Sequence, residues 1–292
     1  MRKYILLLVI AVFFGQIMLS QEKKADDLTI KVKKINSRKG QFFVSWGWNR
    51  SFYSKSDIHF KGENYDFTLY DVKAKDRPNP FGIKFLSPGD LTLPATNAKL
   101  GYFVKDNYSI VIGLDHMKYV MRQNLDVKID GTINIGDYDS EGATYNYDGN
   151  YNGSTINLDS SFLQFEHTDG LNYIYVGLNR FDNFNKLLHI NTRNFEVNLE
   201  EGVDIGLLYP KTNTTLLGKD RHDDFHVSGF GFSIKAGLNL TFFKHFYLQS
   251  DFKMGYINMP KIRTTDSAVD TAKQHFTYHE TMYTFGYRFS LF

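Results

Sequence analysis

The stretch FGFSIKAGLNLTF, residues 230–242, decides the fold. Phe230, Phe232, Ile234, Ala236, Leu238, Leu240 and Phe242 alternate with Gly231, Ser233, Lys235, Gly237, Asn239 and Thr241. Side chains on a strand point alternately to opposite faces, so this segment has one apolar and one polar face. After Lys244-His245 the pattern restarts over 246–256 (FYLQSDFKMGY), and a third run closes the chain over 283–291 (YTFGYRFSL). Strands of soluble sandwiches average about 5–6 residues. These are longer, with charges on the polar face and aromatic rings at the ends of the apolar one. That is the pattern of a strand with lipid on one side and a polar interior on the other. It predicts an all-β fold, an antiparallel up-and-down transmembrane β-barrel with long external loops.

The N-terminus agrees with export. Arg2 and Lys3 precede an apolar run from Tyr4 to Phe14, and Ser20 is a small residue before Gln21, so residues 1–20 read as a cleaved signal peptide. The apolar run is shorter than the about 20 residues a membrane helix needs. Residues 21–40 are lysine-rich and read as a polar periplasmic lead-in, leaving 41–292 for the barrel. The 292-residue chain has a net charge of +2, which gives no reason to expect nucleic acid. It has no cysteine, which excludes a disulfide framework, a thiolate metal site, a cysteine nucleophile and lipid attachment at an N-terminal cysteine. Gly229 and Gly231 are strand glycines with no helix behind them to bind phosphate, and no cofactor is expected.

Working back from the C-terminus, Lys244-His245 is a short turn, while Pro260–Gln274 and Pro210–His226 are long loops. Phe195–Tyr209 alternates again. Asp169-Gly170 reads as a type I′ turn joining Ser154–Thr168 to Leu171–Phe181. For short and long turns to alternate, one more crossing must fall near Leu187–Thr192. Asn124–Gly153, rich in Gly, Asp, Asn and Tyr, reads as a large external loop with few residues to bury and room for a hairpin of its own. Lys99–Val104 and Tyr108–Val120 flank the turn Lys105-Asp106-Asn107. Gln41–Tyr53 and Asp57–Lys73 supply the first two strands, and the prolines between Asp76 and Asp90 interrupt the pattern. The total is ten to twelve strands.

The turn Gly101-Tyr102-Phe103-Val104-Lys105-Asp106-Asn107 and the closing Gly286-Tyr287-Arg288-Phe289-Ser290-Leu291-Phe292 resemble those of small OmpW- and OmpA-type outer-membrane barrels of Gram-negative bacteria. The Asn-, Tyr- and Lys-rich style suggests a Bacteroidota source. The resemblance implies outer-membrane localisation, contact with outer-membrane lipid, and recognition of Phe289 and Phe292 by the barrel-assembly machinery. Phe292 is out of phase with the apolar set 285, 287, 289 and 291.

The polar faces predict a lumen network of Glu196, Glu200, Asp204, Lys235, Asp251, Lys253, Glu280 and Arg288, with Asn49 beside it. Paired charges there would either plug the ring or line a narrow pore for small solutes. Two motifs carry chemistry. His222, Asp224 and His226 share a face at period two and form a candidate metal site. Asp224 and His226 with Asp137 and Asp139 resemble the Asp/His and Asp/Asp pairs at the mouth of omptin-type proteases, which implies a water-activating site for peptide or lipid hydrolysis. The function read from sequence is a structural or loop-presenting binding barrel, or a narrow pore. The alternatives are an outer-membrane hydrolase and a subunit of a larger outer-membrane complex with other outer-membrane proteins as partners.

Overall fold

The computed structural model describes residues 37–78, 95–192 and 194–291. The signal-peptide reading, most of the lead-in, residues 79–94 of the proline-rich segment and Phe292 lie outside them. Sixteen strands are present among the described residues: β1 (Phe42–Tyr53), β2 (Ser56–Lys61), β3 (Tyr65–Val72), β4 (Ala74–Lys75), β5 (Thr96–Lys105), β6 (Tyr108–Met121), β7 (Asp126–Ile133), β8 (Tyr138–Ser140), β9 (Ala143–Tyr145), β10 (Gly149–Asn157), β11 (Leu163–Asn183), β12 (Phe195–Leu208), β13 (Asn213–Leu216), β14 (Gly229–Phe242), β15 (Phe246–Arg263) and β16 (Thr271–Phe289).

Eight of them close a ring in the order β1-β5-β6-β11-β12-β14-β15-β16, and every neighbouring pair is antiparallel. β1 seals it against β16 in continuous register from Phe42↔Phe289 to Tyr53↔Tyr278. Closure removes the sheet edge, so every ring strand has a neighbour on both sides for its backbone polar groups. The outward side chains are apolar and exposed: Ile112 is 59% exposed, Ile205 63% and Ile234 58%. A continuous exposed patch of this kind is what a hydrocarbon surround requires. Ten residues, the length of β5, at about 3.3 Å each and a tilt near 40° span about 25 Å, the height of such a belt.

β6, β11, β15 and β16 run on past the belt, and there the polarity of their two faces exchanges; on β16 it does so without a slip of phase. On β16 the residues alternate between buried and exposed from Ala272 to Arg288. Phe276 and Tyr278 are buried at its start, with Lys273 and His275 outward; Glu280, Thr284 and Arg288 are buried at its end, with Tyr283 and Phe285 outward. β15 repeats this from Asp251 and Lys253 to Ile257 and Met259, and a register shift then brings Ile262 to the same buried face. The lower storey is polar inside and apolar outside; the upper storey is the reverse.

The upper storey is completed by a wing. β2 pairs with the start of β16 (Thr271↔Lys61 to Gln274↔Ile58), β3 with β2, β7 with β3 and β10 with β7. Its inner face buries Ile58, Phe60, Phe67, Leu69, Ile129 and Ile133. Phe60 stacks on Phe67 with centroids 5.3 Å apart, and both meet the loop before and the start of β11, through Phe162 at 5.8 Å and Phe165 at 5.6 Å. Each such ring contributes about 1.5–3 kcal/mol by burial. The result is a soluble-style apolar core, hereafter the cap, standing on one rim of the ring.

Three expectations are corrected. Asp169-Gly170 is not a hairpin turn. β11 runs through it for 21 residues, and five of its residues, from His167 to Leu171, face only three of β6, from Tyr119 to Met117. Gly170, at φ +138°, takes the conformation this bulge demands. With no turn there, no extra crossing is needed. Leu187–Thr192 is a coiled turn closed by Leu188 N–H to Phe184 O, with Leu187 72% exposed. Asn124–Gly153 does hold a hairpin, β8–β9, but it is not poor in buried residues, because β7 within it buries Val127, Ile129 and Ile133. Twelve strands do lie along the continuous sheet, but β2, β3, β7 and β10 belong to the wing, and eight form the ring.

Two storeys with separate cores should fail separately. Phe67→Ala is expected to destabilise the cap by about 3–5 kcal/mol. Limited proteolysis should then cut within β2–β10, while the heat-dependent gel shift of the ring persists; simultaneous loss of both would contradict the two-storey description.

Candidate functional site

The lumen is built by alternation. Inward positions of adjacent strands supply Lys99 from β5, Asp115 from β6, Glu196, Glu200 and Asp204 from β12, Lys235 from β14, Asp251 and Lys253 from β15, and Glu280 and Arg288 from β16; all are at most 5% exposed. Lys99 meets Asp251 at 3.0 Å and Lys235 meets Glu200 at 3.2 Å. Lys253 reaches across the ring to Asp115 at 2.5 Å and Asp204 at 3.1 Å, its ammonium 4.1 Å from the Tyr175 ring centroid. Glu196 lies between Arg38 at 3.1 Å and Arg288 at 3.5 Å. The arrangement needs room, and inward glycines provide it: a Cβ on Gly237 would sit 2.0 Å from Asp251 Oδ1.

Above these charges lies a layer of buried tyrosines, Tyr173, Tyr175 and Tyr278, and above that the cap. Below, Phe43, Phe103 and Phe181 pack with centroids 5.1–6.3 Å apart. They leave, beside Tyr247 and Arg288, a cavity of about 10 Å³. That is about the least space that holds one water. Arg38 plugs this end, donating to Glu196 and Asn198. The segment carrying it is pinned by Asp106, which accepts from the Ser37 hydroxyl at 2.7 Å and from the Arg38 and Lys39 amides at 2.9 and 3.0 Å. These bonds, Ser37 foremost, hold the Asp106 carboxyl below its usual range.

Sequence reading missed Arg38 and Lys99. Lys99 shares the inward parity of Gly101 and Phe103, so alternation could have found it. Arg38 sits in a polar segment with no periodicity, and no local signal marks it.

The mouth is arranged differently from the motif readings. His226 Nε2 accepts the Arg263 amide at 3.0 Å and is occupied. Asp266, from the β15–β16 loop, takes its place beside His222 and Asp224: one ligand atom of each lies within 4.8 Å of the others. One imidazole and two carboxylates form a donor set that a divalent metal can use, but His222 Nδ1 is already 3.1 Å from Asp266 Oδ1. Asp137 accepts from Asn146 at 2.5 Å and Asp139 from Thr144 at 2.7 Å, so both close the β8–β9 hairpin. Among the described residues no hydrogen bond or ion pair joins them to Asp224 or His226.

Two outcomes follow from the burial of these groups. Lys253→Met strands Asp115 and Asp204 and should cost about 3–5 kcal/mol in urea unfolding; adding Asp115→Asn and Asp204→Asn should recover most of it. In the cap, burial pushes His167 down from 6.5 to about 3. The unfolded chain binds a proton near 6.5 that the folded cap refuses, so cap stability is full above that pH and falls between 6.5 and about 3. Protease sensitivity of the cap should therefore rise from pH 7 to pH 5, and His167→Gln should weaken that dependence.

No family model matches the chain, and no curated protein matches it. Among solved structures it is similar to the outer membrane protein OprG from Pseudomonas aeruginosa (12% identity, TM-score 0.37, covering 88% of this chain and 100% of that one). It is also similar to Neisserial surface protein A (11% identity, TM-score 0.33, covering 86% and 100%) and to the outer membrane protease OmpT from Escherichia coli (8% identity, TM-score 0.29, covering 90% and 99%). At these scores the likeness assigns no activity.

Proposed function

We propose that this protein is an integral outer-membrane barrel that holds a folded β cap outside the cell as a binding surface, and that its ring does not conduct. The observation that supports this most is the continuous filling of the ring. Aromatic side chains, ion pairs, tyrosines and the apolar cap follow one another, buried, along the inner faces of the same strands. A ring of eight strands is narrow enough for side chains to fill it. The apolar belt supports membrane insertion, and the short turns at one rim with the long connections at the other support a periplasmic and an external end. The β8–β9 hairpin then lies outside, seated on the cap by Tyr138 and Tyr147, with Tyr145 stacked on Tyr147 at 6.3 Å and 5°. In this reading lipid contacts the belt, and the barrel-assembly machinery reads the closing strand through Phe289 and Phe292.

In planar bilayers the refolded protein should give no steady single-channel current. A large stable conductance would refute the sealed ring and restore the narrow-pore reading.

A further inference from the structure

The ion pairs of the lumen leave one carboxylate over. Six acids are buried there, Asp115, Glu196, Glu200, Asp204, Asp251 and Glu280, against five bases, Arg38, Lys99, Lys235, Lys253 and Arg288. Five of the acids have a cationic nitrogen within 3.5 Å; Glu280 has none among the described residues. Its register partner on β15 is Lys253, but that ammonium is drawn across the ring to Asp115 and Asp204. Glu280 is 0% exposed, and among the described residues no donor meets Oε1 or Oε2 in full hydrogen-bond geometry, the Asn97 amide coming nearest. An isolated ionised carboxylate in such a place is very costly.

Around Glu280 bare oxygens outnumber donors, which are the Ser51 hydroxyl and the Asn97 amide. Ser51 faces Glu280 directly in the β1–β16 register, and its Oγ is buried without a partner. Asn49, the next inward residue of β1, directs its Nδ2 to the Thr96 and His116 carbonyls at 3.3 and 3.4 Å, and its Oδ1 is bare. The Asn97 amide lies within reach of the Glu280 carboxylate. Its Nδ2 is given to Asp115 Oδ1 at 2.6 Å, and its Oδ1 is bare as well. A proton on Glu280 would balance the charge yet serve only one of these oxygens. A small hard cation serves both needs, because it is bound by carboxylate and neutral oxygen ligands together.

We infer that the lumen encloses a monovalent cation, Na⁺ or K⁺, held by Glu280 with oxygens from Ser51, Asn49 and Asn97. A divalent ion would overshoot the single missing charge. The ion is enclosed as the ring closes, and the site is independent of whatever the cap binds.

The test is refolding into detergent micelles at constant ionic strength, with choline chloride, too bulky for the site, exchanged for NaCl. The heat-unfolding midpoint is read by gel shift. Wild type should rise by about 5–10 °C over a roughly hundredfold increase in Na⁺ beyond its dissociation constant. Glu280→Gln, of the same shape without the charge, should show no Na⁺ response, and Ser51→Ala should need more Na⁺ for the same rise. A flat wild-type midpoint would overturn the inference, as would a Glu280→Gln protein that keeps the wild-type response. Should Glu280→Gln not fold, an unchanged Na⁺ curve in Ser51→Ala overturns it. The bilayer current reads the seal separately, so either idea can fail alone.

Discussion

The pairing of β1 with β16 is the constraint on which the rest depends. In hydrocarbon there is no water to satisfy a free amide or carbonyl, and each one left bare costs several kcal/mol. An open sheet of these strands would expose a full row of them at either edge. Twelve consecutive residue pairs between β1 and β16 remove that edge. Once the backbone is self-sufficient, the outward side chains are free to be apolar, and the inward ones form a compartment closed off from lipid.

What fills that compartment follows from its width. A ring of eight strands leaves space for side chains and little else. Charges of both signs on facing strands therefore meet one another instead of water, and the cost of burying each is offset only where a partner of opposite sign is within reach. Lys253 shows how the competition is settled. Its nearest acid by register is Glu280, on the adjacent strand, yet its four-carbon stem carries the ammonium over Tyr175 to Asp115 on the opposite wall and Asp204 two strands away. Two acids outbid one, and the loser is left with bare oxygens.

The exchange of polarity along β15 and β16 turns one set of strands into both a membrane anchor and a soluble core. No hinge or linker separates the storeys; the same hydrogen-bonded ladder passes through both. Such a cap is held rigidly to the ring. Its pendant wing ends in β10, whose polar sequence and bulge at Gly153 keep an open edge unattractive to other strands.

The sequence by itself determined the class of fold, because the two-residue period is a local property and survives whatever the strand packs against. It also determined which face Glu196, Glu200, Asp204, Lys235, Asp251, Lys253, Glu280 and Arg288 share, since parity along a strand needs no partner. Only the tertiary structure decided that Asp169-Gly170 is a bulge and not a turn, because the same dipeptide serves either and the neighbouring strand chooses. It decided too that Asp57–Lys73 and Asn124–Gly153 form a wing: their buried residues find cover in a core with Phe162 and Phe165, about a hundred residues away in the first case. The mouth was least legible. Asp266 replaces His226 beside His222, and Arg38 enters the lumen, through contacts between segments that share no period, where only the path of the chain in space determines what meets.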